Sequence, residues 1–148
     1  MIIEVWTKGK YAASEEAALL ARLRAAGLKL GGVKLSRLYK VEATWPGKDF
    51  ERLGAELLAD KITESYTLSN RPGLKGLYRV EVWLKNSATD VVGESVKEAI
   101  HDLLGRSPAA VRFGRAYYAF RTEEKKLRAA VAKTLVNETV NVFGIKKI

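Results

Sequence analysis

The sequence predicts an α+β protein, a two-layer sandwich in which helices pack on an antiparallel sheet. Three observations support this fold class. Strand-like segments alternate with segments of helical periodicity, the strands are too few for a doubly wound parallel sheet, and the order of the segments occurs twice. We therefore expect two tandem β-α-β-α-β repeats arranged as a pseudo-dimer. The first is assigned to residues 1–69 and the second to residues 77–148, with 70–76 as the linker.

Several short matches, all in the same order along the chain, indicate the duplication. Their offset is 77 or 78 residues throughout, a period that suits a pair of small modules better than most solenoid units. The matches are IEVWTK at 3–8 with VEVWLK at 80–85, Val33 with Val111, Arg37 with Arg115, Tyr39 with Tyr117, and LAD at 58–60 with LVN at 135–137.

The first repeat opens with a strand at residues 2–7, which are rich in β-branched and aromatic side chains. Ser14 is the expected N-cap of a helix that ends near Gly27. Apolar residues then alternate along a long strand at residues 35–45, which predicts one buried face. Arg37 interrupts that apolar face.

A second helix and a short strand complete the first repeat. Asp49 is the expected cap of the helix, and the strand is predicted at residues 66–68. The linker sequence NRPGLKG follows at residues 70–76, where Pro and Gly disfavour both helix and strand.

The second repeat follows the same order. We expect its middle strand to bend at Gly114. Its elements are a strand at 78–84, a helix capped by Asp90, a strand at 111–120, a helix capped by Thr122 and a final strand at 140–145. Because each repeat alone is close to the lower size limit for stable folding, we expect the two to share a core.

Composition narrows the classes of function. The net charge of +9 favours an anionic partner, although residues 1–76 carry 13 Lys and Arg against 9 Asp and Glu, and residues 77–148 carry 13 against 8. With no cysteine, the chain has no disulfide, thiolate metal site or cysteine nucleophile. No apolar run is long enough to cross a membrane, and no signal peptide is recognised. We expect a cytoplasmic protein.

No catalytic constellation is recognised in the sequence. The single histidine, His101, lies on a predicted helix with no serine and carboxylate pattern around it. Neither a Walker phosphate-binding loop nor a GxGxxG turn after a strand is present. We therefore predict no catalytic residue, no cofactor and no metal site.

One segment suggests an alternative. The strand Arg112–Phe120 resembles the basic, glycine-containing and aromatic pattern with which RNA-recognition motifs stack bases. An RNA-recognition motif needs four strands, however, and each repeat here has three. The corresponding segment LSRLY at 35–39 lacks the glycine and most of the aromatics. RNA binding is the alternative interpretation, and a small-molecule sensor that binds between the repeats is a third.

Taken together, the motifs resemble the small PurS subunit of phosphoribosylformylglycinamidine synthase, an enzyme of purine biosynthesis. That family has an opening strand of the form VxVxxxxK, a DxxG before its first helix, a VRVGKY strand and a helix ending LLANxVIExY. The second repeat matches at 80–85, 90–93, 111–117 and 135–143.

The first repeat is the weaker match to this family. It keeps LLADKITESY at 57–66 but has Ala13 and Glu16 in place of the expected Asp and Gly, and Ser36 in place of the glycine.

The resemblance implies a non-catalytic subunit that bridges a glutaminase (PurQ-like) and an ATP-dependent synthetase (PurL-like) for ammonia transfer. It also allows self-association. The bridging contacts would come from the protein surface. The candidate partner-binding residues are Arg37 and Tyr39 in the first repeat, with Arg115 and Tyr117 in the second.

Overall fold

The computed structural model describes residues 1–68 and 77–148, and the predicted linker at 70–76 lies outside them. The described chain is α+β, with four helices and one six-stranded antiparallel sheet. The strands are β1 Ile2–Thr7, β2 Gly32–Glu42, β3 Glu64–Thr67, β4 Leu77–Leu84, β5 Ala110–Phe120 and β6 Asn141–Lys147. The helices are α1 Gly9–Ala25, α2 Gly47–Leu53, α3 Val91–Leu104 and α4 Glu124–Thr134. A π-helical turn at Gly54–Leu58 continues α2, and the Ala59 amide bonds the Gly54 carbonyl at 3.1 Å.

The strand order is β3-β1-β2-β5-β4-β6, and every neighbouring pair is antiparallel. The two long strands β2 and β5 pair along their whole length at the centre, from Gly32 opposite Phe120 to Glu42 opposite Ala110. Residues 1–68 therefore supply one half of the sheet and residues 77–148 the other. We call these the first and second halves.

The two halves have the same strand register. Val5 of β1 faces Arg37 of β2, and Val82 of β4 faces Arg115 of β5 in the same way. The outer pairs agree as well: Thr7 faces Glu64, and Leu84 faces Asn141. Arg37 and Arg115 face each other at the centre of the β2–β5 pair. A local two-fold axis through this arginine pair would relate the two halves.

The helices lie on one face of the sheet and form two clusters, each with side chains from both halves. The first cluster joins α1 and α4, through residues such as Leu23 and Val131, over one end of β2 and β5. The second joins α2 and α3, through residues such as Leu53 and Ile100, over the other end. The expectation of a shared core is therefore confirmed, because neither cluster can form from one half alone.

The other face of the sheet holds a buried polar network. Arg79 of β4 contacts Glu4 of β1 at 2.9 Å, and Glu4 also accepts hydrogen bonds from Ser36 at 2.5 Å and Tyr118 at 2.6 Å. All four residues are at most 4% exposed. Along the strand pairing Glu4 lies opposite Trp83 of β4, four residues from Arg79, so the Cα atoms of Glu4 and Arg79 would be about 20 Å apart in a flat sheet, more than the two side chains can span. The direct contact between Glu4 and Arg79 therefore requires the sheet to curl toward this face.

Three of the four predicted helix caps are wrong. The helix assigned to Ser14 begins at Gly9, because the Lys8 carbonyl already accepts from the amides of Tyr11 and Ala12. Asp49 lies inside the first turn of α2, since Pro46 provides the extended residue before it. Thr122 precedes the true N-cap position, the extended residue Glu123.

The Asp90 cap is confirmed, because its Oδ1 accepts from the Gly93 amide at 2.7 Å. The pairing of β5 continues through Gly114, which faces Leu38 on one side and Trp83 on the other, and the bend expected there stays a prediction. Gly114 makes room for the Trp83 ring, which a Cβ at position 114 would approach to 2.5 Å.

Candidate functional site

The four candidate residues lie on the helix-bearing face of the two central strands. Tyr39 belongs to the cluster of α2 and α3, and Tyr117 packs against the cluster of α1 and α4. Arg37 and Arg115 lie between these two clusters, where the strands pass from one helix pair to the other. The structure therefore brings the two arginines together and separates the two tyrosines.

The Arg37 guanidinium is hydrogen-bonded to several groups of the first half. Its guanidinium contacts both carboxylate oxygens of Glu64, at 2.5 and 3.2 Å, and donates to the Leu58 carbonyl at 3.2 Å and the Tyr39 hydroxyl at 3.1 Å. Burial opposes the charged form of Arg37, but these partners outweigh it, and its pKa lies above the ordinary value. The first arginine therefore already holds a carboxylate from the same chain.

Glu64 is equally well fixed. Besides Arg37, it accepts a hydrogen bond from the Asp60 amide at 2.9 Å. Burial would raise the pKa of Glu64, but the bonds from Arg37 and Asp60 prevail and hold that pKa below its usual range. The ion pair is consequently formed at neutral pH.

Arg115 has a different environment. It is exposed, lies over the Phe113 ring at 5.7 Å and approaches the Tyr117 hydroxyl. In residues 1–68 and 77–148 it makes no ion pair within 4.0 Å. Burial raises the pKa of Tyr117, and the charge of Arg115 acts in the opposite direction. Of the two central arginines, Arg115 is therefore the one whose charge is open to a partner.

Arg37 and Arg115 differ in their partners because one position of the outer strands holds a different residue in each half. Glu64 faces Thr7 in the first half, and Asn141 takes the same place in the second. The adjoining turns match: the Asp60 amide donates to the Glu64 side chain at 2.9 Å, and the Asn137 amide to the Asn141 side chain at 3.0 Å. Asn141 thus keeps the turn contact but has no carboxylate for Arg115.

A cleft of about 480 Å³ opens beside Arg115, between α3, the end of α4 and the sheet. Its walls are largely apolar. They include Val82, Leu84, Val91, Val92, Phe113 and Leu135. Asp90 also lines the cleft, but its two carboxylate oxygens accept from the amides of Gly93 and Phe113, at 2.7 and 2.8 Å. The cleft therefore combines an apolar wall with one available positive charge.

Sequence reasoning missed both Glu64 and Asn141. The sequence does contain a signal for these residues. At the 77-residue offset, position 64 aligns with position 141, and the acidic Glu64 corresponds to the neutral Asn141. Similar residues at matching positions indicate the duplication, whereas the partner of Arg115 depends on a position at which the two halves differ. Tyr39 is only 7% exposed and packs on Phe113 at 5.3 Å. Its surroundings are those of a core residue.

The aromatic residues of β5 do not form one exposed row. Phe113 and Tyr117 face the helices, whereas Tyr118 and Phe120 are on the opposite face of the sheet. Tyr118 is 1% exposed and bonded to Glu4. Base stacking needs accessible ring faces. The geometry therefore does not favour the alternative of an RNA-binding surface on Arg112–Phe120.

Comparison with known proteins adds no family: no model of a protein family matches the chain, and no curated protein matches it significantly. Over residues 1–68 and 77–148, none of the helices has the length and apolar character needed to cross a membrane.

Proposed function

We propose that the chain consists of two tandem PurS-like copies and acts as a non-catalytic scaffold subunit of phosphoribosylformylglycinamidine synthase. In this role it would bridge the glutaminase and the ATP-dependent synthetase during ammonia transfer. The two copies would replace a subunit dimer within a single chain. Of the four candidate residues, Arg115 is the best placed to contact a partner.

The supporting observation is the match in register between the two halves. Positions that the sequence aligns at offsets of 77 and 78 residues, such as Val5 with Val82 and Arg37 with Arg115, have the same places in the sheet. The same backbone hydrogen bond also recurs, from the Lys8 amide to the Thr63 carbonyl and from the Lys85 amide to the Val140 carbonyl. Such agreement is expected of duplicated copies, whereas the resemblance to the family rests on the order and spacing of its motifs in the sequence.

Complex formation tests the proposal. The chain is mixed at micromolar concentration with the synthetase and glutaminase subunits of its own organism and run on a sizing column. We expect the three proteins to comigrate, and we expect Arg115→Glu to weaken the complex. The matched control is Lys125→Glu, which makes the same charge change on an exposed lysine of α4 outside the cleft. Failure of the wild-type chain to comigrate would contradict the proposal.

A further inference from the structure

The two central arginines provide an internal comparison. Arg37 and Arg115 occupy matching places in the sheet, and each has a tyrosine two residues further along its strand. In the first half, Arg37 holds the Glu64 carboxylate with two contacts. This pair shows that the local backbone can bring a carboxylate and the central arginine together in bidentate geometry, which is the strongest form of their interaction.

The second half retains the arginine but not the acid. Asn141 stands in the place of Glu64, and Asp90, the one acidic residue among the described residues that line the cleft, has both oxygens bonded to backbone amides. Arg115 also faces Arg37 directly across the β2–β5 pair, and like charges opposite each other are unfavourable. Glu64 neutralises Arg37, whereas Arg115 forms no ion pair within 4.0 Å in the part of the chain that the structure describes.

From these contacts we propose that the cleft beside Arg115 is a binding site for a carboxylate group carried on an apolar body. Arg115 would pair with this external carboxylate as Arg37 pairs with Glu64, and the apolar wall around Val91, Phe113 and Leu135 would hold the rest of the ligand. The volume of about 480 Å³ suits a small acid or a single inserted acidic side chain. The site is argued from the chain alone and does not require the proposed scaffold function.

The first test needs no ligand. Asn141→Glu supplies the second half with the acid that the first half has, and Glu64 demonstrates that this side chain can bond the turn amide and the arginine together. We expect Asn141→Glu to raise Tm by about 1–4 °C, the shift typical of one partly exposed ion pair in a chain of this size. In an Arg115→Gln background the gain should vanish. An equal gain in both backgrounds would overturn the proposal.

The second test uses phenylacetate as the probe, with phenylacetamide as its uncharged analogue. In a titration followed by amide NMR shifts, we expect the acid to bind with a millimolar Kd, typical of about ten non-hydrogen atoms, and to shift residues of the cleft. Affinity should fall about tenfold or more in Arg115→Gln and in Asn141→Glu. The proposal is overturned if the acid and the amide bind alike, or if neither substitution changes the titration.

A last comparison identifies the natural source of the carboxylate. If a partner protein inserts an acidic side chain, Asn141→Glu will disrupt the complex with the synthetase and glutaminase subunits. If the source is a free acid, the variant will lose phenylacetate binding but still assemble. Because the first two tests use the isolated chain, failure of the assembly experiment and failure of the carboxylate site give different results.

Discussion

Arg37 and Arg115 show how one side chain changes the role of another at a matching position. The nearly buried Glu64 fixes the first arginine, whereas the shorter, neutral Asn141 leaves the second exposed. The 78-residue offset predicted that the two arginines correspond, and they do have matching places in the sheet. Their different partners depend on side chains from β3 and β6, which lie two strands from the centre and whose pairing register was not known.

At this scale we predict that Glu64→Gln lowers the free energy of unfolding by about 1–2 kcal/mol, because both contacts with Arg37 lose the carboxylate charge and one of them loses its acceptor. Chemical denaturation followed by circular dichroism measures the change. The control is Glu56→Gln, which removes an exposed ion pair with Arg52 and should cost about 0.5 kcal/mol or less. Equal losses in the two variants would contradict the assigned role of Glu64.

For the same variant we also predict how the loss of stability depends on pH. The pKa of Glu64 is lower in the folded protein than the ordinary value of about 4.3, so its contribution to stability is fully present above that value. The contribution is lost as pH falls through the folded pKa. Denaturation curves at several pH values should therefore show a constant difference between wild type and Glu64→Gln above about pH 5 and a shrinking difference below it. If the difference in stability between wild type and Glu64→Gln grew on acidification, the assigned pKa shift of Glu64 would have the wrong direction.

At the scale of elements, the order of strands and helices could be read from hydrophobic periodicity, and all eleven elements except the π-helical turn were anticipated. Three helix starts were wrong because the structure shows no side-chain cap on α1, α2 or α4, so the expected sequence signal is missing. The joining of the two sheets through β2 and β5 could not be chosen in advance, since the modules could equally have packed through their helices.

The buried network on the helix-free face joins elements of both halves, so its removal should be costly. We predict that Arg79→Leu destabilises the fold by about 3 kcal/mol, because it leaves Glu4 buried without its cationic partner. The double variant Glu4→Leu with Arg79→Leu should lose less than the single one, since no unpaired charge remains. Thermal and chemical denaturation of both variants test this. A double variant less stable than Arg79→Leu would show that the network contributes more than charge compensation.

At the scale of the whole molecule, each helix cluster contains residues from both halves, and the central strand pair joins them. The two halves therefore share both helix clusters. The size of each repeat had predicted this shared core. The sequence could not predict that α1 packs with α4 and α2 with α3, because these contacts depend on which edges of the two modules pair.

We therefore predict that residues 1–76 and 77–148, expressed separately, do not fold alone, since each would expose half of both clusters. Two-dimensional amide NMR of each fragment should show poor dispersion, and mixing the fragments should restore part of the native spectrum. The intact chain should unfold in a single transition. A well-dispersed spectrum from either fragment would contradict the shared-core description.

The most direct test of the proposed function is the activity of the partner subunits with and without this chain. Turnover of the synthetase and glutaminase subunits is measured with glutamine as the nitrogen source, and ammonia serves as the control. We expect glutamine-dependent turnover to require the chain, and ammonia-dependent turnover of the synthetase to change much less. Glutamine-dependent turnover that is the same with and without the chain would contradict the bridging role.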